Sequence, residues 1–274
     1  MKHYAELKKD DGAPAFLEAT AYSKDRAVIQ IAEMVDAPVD DKDAYREFKR
    51  KTNSINYFWK PFYYKHVEKM LDLRVVDDRK DRRQLSALKS ALSRGQRSKI
   101  QGVEVFDEYI PLKHYYHRFT RSIFWEIEDM IPFANHWIYR TLWGWMGAPE
   151  VALLKLFQGP VIRKASVYAH VVQESIMPVR RVPEGIENFD RWFGVYPLLL
   201  FPIRVYKREP SGLLNPAPED VIPGENYGLY VDIGAYGAPL AVKQGEMWDA
   251  KKNVRDGEHW TRSVHGFSAP YVNI

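Results

Sequence analysis

Cysteine is absent from all 274 residues. That excludes disulfides, thiolate nucleophiles and cysteine-ligated metals, and it fits a reducing compartment. Long apolar runs are also missing: none reaches the roughly 18–20 residues that a membrane-spanning helix needs. The opening MKHYAELKKDD has no signal-peptide hydrophobic region. The expectation is a soluble or peripheral body, with any anchor carried on other sequence. Charge of one sign is scarce, since 40 Lys and Arg against 36 Asp and Glu leave +4. So small a surplus does not imply nucleic acid. There is no internal repeat and no Gly-rich phosphate motif. The histidines lack paired ligand spacing with carboxylates, so no metal site is expected, and His114 with His117 alone makes a weak case for one.

What the chain does have is rings. It is 14% aromatic within 46% hydrophobic residues, which argues for a folded, ring-rich protein. Met1 to Lys9 reads as the end of a helix. Phe16–Tyr22 and Ala27–Val35 read as strands joined by a polar turn, and Asp36–Thr52 as a charged loop with one helical turn. The Lys60-Pro61 break bends an aromatic run into a helix over Phe62–Leu71. Val75–Gln101 is basic, and Leu85, Leu88 and Leu92 mark a surface helix ending near Gly95. Further on, helices are predicted over Pro160–His170, Pro183–Phe193 and Glu258–Val264, and strands over Val171–Met177, Val195–Pro202 and Tyr227–Tyr236, with a last strand after His265-Gly266-Phe267. Strands separated by helices without repeats give an α+β fold with a largely antiparallel sheet.

The stretch Glu108–Lys155 organises the chain. Paired aromatics (Tyr115-Tyr116, Phe124-Trp125, Trp143, Trp145) stand beside His114, His117, Arg118, Arg121 and Glu126. Rings supply contact area for a large apolar ligand, and a few titratable groups orient it or move protons. The same composition also describes a core segment with a solvated basic edge. Trp137, Tyr139, Trp143 and Trp145 around Arg140 suit either a membrane-interface patch or buried helix packing.

A series of colinear motifs favours the ligand-pocket reading of Glu108–Lys155 and leaves the second choice open. These are Lys60-Pro61 with Lys65-His66, then EYIPLKHYYHR from Glu108 and TRSIFWE ending at Glu126. Then come Gly144-Trp-Met, Gln158-Gly159, His170-Val-Val-Gln173, Val195-Tyr-Pro, YVDIGAYG from Tyr230 and RSVHGF from Arg262. Together, from about Asn53 onward, they resemble the delta-24 sterol reductases of the seladin/Diminuto group, which are similar to the vanillyl-alcohol-oxidase type of FAD-linked oxidoreductase. The resemblance implies the C-terminal substrate or cap portion alone. Residues 1–52 then form a hairpin and linker and 53–274 the cap, with 75–101 a basic insertion and the FAD-binding domain absent.

The resemblance also implies FAD and NADPH as cofactors, a sterol as partner substrate, and association with the endoplasmic reticulum membrane. A flavin-free sterol- or lipid-binding module is the alternative, and a related flavoenzyme acting on a different alkene is a third. An isolated trisubstituted alkene is electron-rich and unpolarised, so the expectation is that protonation at C24 gives a C25 cation, which then accepts hydride. Glu126 beside Phe124-Trp125 is either a protonated acid or the partner of Arg121 or Arg118. His117 and His170 are relay candidates, though His170 also suits a structural role. Tyr236 is a candidate proton donor, its alternative being a core ring. Tyr116, Trp125, Tyr196 and Phe201 are expected to line the substrate site, and Gln173 and His265 to meet the flavin.

Overall fold

The computed structural model describes residues 14–79, 96–100, 103–146, 160, 170–209 and 212–270. It divides into two compact units, one built from Met1–Glu33 with Pro160–Ile274, the other from Met34–Gly159.

The first unit is a six-stranded antiparallel sheet. In chain order the first two strands are β1 (Phe16–Ser23) and β2 (Arg26–Ala32), close to the predicted hairpin. In the second unit come helix α1 (Lys42–Lys51), α2 (Tyr63–Arg79), strands β3 (Gln96–Ile100) and β4 (Val103–Asp107), and the short helices α3 (Leu112–Tyr116), α4 (Ile127–Met130) and α5 (Trp137–Leu142). The first unit resumes with β5 (Val171–Pro178), α6 (Val182–Trp192), β6 (Leu198–Tyr206), β7 (Tyr227–Gly237), α7 (Leu240–Lys243), α8 (Ala250–Ser263) and β8 (Phe267–Pro270). The sheet order is β2-β1-β6-β7-β5-β8, so the expected α+β class with an antiparallel sheet is what the chain forms.

Its register places Ile29, Ala19, Leu200, Ile233, Ser175 and Ser268 on one rung across all six strands. Directly opposed residues share a face, and this is the core face. Helix α6 covers it with Val182, Gly185, Phe189 and Trp192, a stripe at helical spacing. Each large side chain buried there contributes roughly 1.5–3 kcal/mol. Gly185 permits the approach, because a Cβ at that position would lie 2.4 Å from Met177 Sδ. Helix α8 is capped by Asp249, whose carboxylate accepts from Lys252 N at 2.9 Å. It joins the sheet through polar groups, Thr261 Oγ1 donating to Ser175 Oγ at 3.2 Å, while within the sheet Gln173 Nε2 on β5 donates to Ser268 Oγ on β8 at 2.6 Å.

In the second unit Phe62, Tyr63, Tyr64 and Val67 at the start of α2 are buried. The rings pack edge-on or stacked, Tyr63 with Phe119 at 5.6 Å, Tyr64 with Trp125 at 6.2 Å and Phe119 with Phe124 at 5.1 Å between centroids.

Several expectations are corrected. Asp36–Thr52 holds a ten-residue helix, not one turn. It has no buried residue and so no apolar stripe to read; Asp41 caps it and Arg50–Glu47 and Arg46–Asp43 pairs line it. The helix after Lys60-Pro61 runs on to Arg79. Residues 96–100, placed in the basic insertion, form a strand paired with β4. The strand predicted at Val195 starts at Leu198 and continues through Pro202 to Tyr206. Helix α8 begins eight residues before Glu258, at Ala250, because Asp249 starts it. The helices expected at Met1–Lys9, around Leu85–Leu92 and over 161–169 lie outside the described residues.

Candidate functional site

Opposite the core face, the first unit's sheet carries a second set of rungs. One reads Thr20, Leu199, Gly234, Glu174 and the next Phe201, Asp232, Ile176, Phe267. Tyr236 stands beside Val172, on the rung to the other side of Gly234 from Asp232. Its ring does not project straight out. A Cβ on Gly234 would meet the Tyr236 hydroxyl at 2.7 Å, so the ring folds back over the gap that the glycine leaves. That brings the hydroxyl to Glu174, directly across from Gly234, where it donates to Oε1. Asp232 lies on the same face. Burial first, and the neighbouring Glu174 charge second, push its carboxyl up to about 7, against a weaker opposing bond from the Ser175 backbone. Its Oδ1 is buried without a hydrogen-bond partner. The period-two strand YGLYVDIGAY, paired with β5, thus sets a tyrosine and two carboxylates together, one able to keep its proton near neutrality.

The second unit holds a separate acid. Glu126 precedes α4, and burial first and Asp129 second push its carboxyl up to about 7. The alternative of an ion pair with Arg121 is not formed, since Arg121 Nη2 turns to the Lys60 carbonyl at 3.5 Å. The turn leading to Glu126 is strained: Ile123 and Phe124 have φ of 47° and 58°. Left-handed backbone at a β-branched residue costs of order 1–3 kcal/mol. The same unit holds a second polar cluster, where His66 Nε2 and Glu108 Oε1 are 2.7 Å apart and Asn53 Nδ2 donates to Glu108 Oε2 at 2.9 Å.

The remaining expected residues are dispersed. His117 is exposed at the end of α3, its Nδ1 3.5 Å from Thr120 Oγ1, and Tyr116 beside it is 60% exposed. Trp125 is buried in the ring cluster. His170 is half-buried just ahead of β5. Tyr196 is half-buried, its hydroxyl pushed up by burial first and by Asp190 second. Phe201 is 44% exposed on the Asp232 rung. His265 is exposed in a left-handed turn (φ 59°), 3.8 Å from Glu219. Gln173 is 2% exposed on the core face, where its Nε2 donates to Ser268 Oγ and the Glu174 carbonyl. Neither Asp232 nor Glu174 is among the expected site residues. Counting alternate residues back from Tyr236, through Gly234, is the signal that finds Asp232; Glu174 is found only through the pairing of β5 with β7. Among the described residues no group of three or more His, Cys, Asp or Glu is placed to hold a metal ion.

A helix-backed antiparallel sheet whose other face presents tyrosine, aspartate and glutamate defines a domain equipped for acid–base chemistry. Comparison with known proteins gives the lineage. The chain is similar to the delta(24)-sterol reductases of Rattus norvegicus and Homo sapiens, at 38% and 37% identity over 258 residues, and to that of Arabidopsis thaliana at 30% over 264. In each case 94% of this chain is covered. The chain belongs to the delta(24)-sterol reductase family, and it spans about 40% of the length of these curated relatives. No protein-family model matches it, and no solved structure matches it.

Proposed function

We propose that the chain is the substrate-binding portion of a FAD-dependent, NADPH-using reductase of the C24=C25 double bond in sterol side chains. The observation that carries the reading is the face on which Tyr236, Glu174 and Asp232 converge, in a chain whose relatives are named delta(24)-sterol reductases.

The residues fit the reacting end of a flavin and not its phosphates. Asp232 Oδ1 is a buried acceptor awaiting a donor, and Gly234 leaves the room that the Tyr236 ring occupies. No Gly-rich phosphate loop occurs in the sequence. Asp232 and Tyr236 would therefore meet the ring, and His265 is the exposed candidate beside it. A bound flavin, reduced by NADPH, supplies the hydride. The protein's part is the proton. Asp232 retains one up to about pH 7 next to Glu174. When Glu174 takes that proton, its carboxyl donates to the Tyr236 oxygen, and the phenol's own hydrogen turns to the alkene. The C24–H bond then forms as the π bond breaks, and C25 is left cationic to receive hydride. Phe201 on the adjacent strand gives the apolar side chain a surface. Glu126 is the second unit's own candidate acid, with His117 a relay candidate in that unit and His170 one in the first.

The sterol's origin in the endoplasmic reticulum membrane accords with the second unit's surface. Trp137, Trp143 and Trp145 are exposed there with Phe133 and Leu142, the ring chemistry of a membrane interface. No helix among the described residues is long and apolar enough to cross a membrane.

The test supplies the purified chain with the flavin-binding half of a relative, FAD, NADPH and a 24,25-unsaturated sterol, and follows sterol mass. The expected result is gain of two hydrogens, lost in Tyr236→Phe. Sterol binding without any reduction, in a mixture that still binds FAD, would leave a flavin-free binding module and end the reductase reading.

A further inference from the structure

Two arginines of the second unit take no part in that chemistry. Arg121, 8% exposed, lies in the turn between α3 and α4, with its guanidinium 5.7 Å from the Phe62 ring centre. Beyond its 3.5 Å contact with the Lys60 carbonyl, its Nη1 is buried with no hydrogen-bond partner. Arg140 on α5 is half-buried, and its Nε and Nη1 are buried and unpartnered as well.

The Arg121 guanidinium and the base of the Arg140 side chain lie by one turn. Arg121 reaches Lys60, and Arg140 sits beside Gly144, where a Cβ would lie 3.0 Å from the Phe58 carbonyl and 3.6 Å from Arg140 Cβ. Lys60 N closes that turn by donating to the Tyr57 carbonyl at 2.9 Å. Among the described residues no carboxylate pairs with either arginine.

Buried charged donors left without acceptors are costly, and two like charges held together cost more. The strain shows in their acidity. Burial first, and the charge of Arg140 second, bring Arg121 down to about 10, and burial lowers Arg140. A carboxylate would neutralise one of the two charges. A phosphate monoester or inorganic phosphate brings two negative charges and several oxygens, matching two planar forks and three idle nitrogens.

We propose that Arg121 and Arg140 form a binding site for the phosphate dianion of a small molecule, seated against the Phe58–Lys60 turn. The site is independent of the sheet face in the first unit, and its failure would leave the reductase reading untouched.

The experiment titrates the full chain with inorganic phosphate at pH 8 by calorimetry and thermal melting, at ionic strength held constant with chloride. Acetate and a nucleoside monophosphate are run alongside. Saturable phosphate binding is expected, with acetate at least tenfold weaker. Arg140→Gln should abolish it, and Arg140→Lys, which keeps the charge and loses the fork, should weaken it at least fivefold. Tighter binding of the nucleotide than of free phosphate would identify the source as an ester; equal binding, as the free anion. No response beyond chloride, equal response to acetate, or unchanged binding in Arg140→Lys would overturn the proposal.

Discussion

Asp232 makes stability fall with rising pH, and Asp232→Asn should remove the effect. The carboxyl moves from an ordinary 3.8 to about 7 on folding. Between those values the folded chain binds more protons than the unfolded one, so stability is full below pH 4 and is lost as pH climbs through 7. At about 1.4 kcal/mol per unit the whole shift is worth roughly 4 kcal/mol. By pH 5 part of that is already gone, because the unfolded aspartate has ionised. The advantage of the asparagine protein over wild type should therefore grow by roughly 2–3 kcal/mol between pH 5 and pH 8. Urea unfolding of both proteins at intervals across that range gives the difference directly, and carboxylates common to both cancel. A difference that stays flat, or shrinks as pH rises, would refute a buried, protonated Asp232.

Gly234→Ala should destabilise the chain by about 1–3 kcal/mol, as overpacking does. Combining it with Tyr236→Ala should recover much of that loss in a denaturation cycle; simple additivity would mean that the ring does not lie over the glycine. Gly185→Ala meets Met177 Sδ at 2.4 Å, so it too should cost about 1–3 kcal/mol, and Met177→Ala should relieve the clash. In the flavin-supplied mixture, Glu126→Gln should slow alkene reduction while NADPH oxidation by the flavin continues. Equal loss of both half-reactions would make Glu126 structural. Without the flavin-binding half, the purified chain should be colourless after incubation with FAD, and a yellow protein would contradict the phosphate-loop argument.

What the sequence made legible follows the strength of its periodicities. β1 and β7 alternate apolar and polar or pair with a turn, and both were readable to within a residue or two. Helix α1 was not, because its stability lies in a cap and in salt-bridged turns instead of an apolar stripe. β5 misled in a different way. Val171, Gln173, Ser175 and Met177 face the core while Val172, Glu174 and Ile176 face away, and neither set is plainly the more hydrophobic. Only the partners, Ser268 across the sheet for Gln173 and Thr261 on α8 for Ser175, decide that this face of β5 turns inward. The left-handed Ile123-Phe124 turn had no local signal, since neither residue favours such backbone.

Because the first unit is assembled from both ends of the chain, birth order matters to it. A ribosome working at about 5–20 residues per second releases β1 roughly ten to forty seconds before the strand that will flank it. Throughout that interval one side of β1 has no neighbour and is open to adventitious pairing. Premature termination anywhere before Leu198 would therefore strand the opening hairpin, not merely shorten the protein.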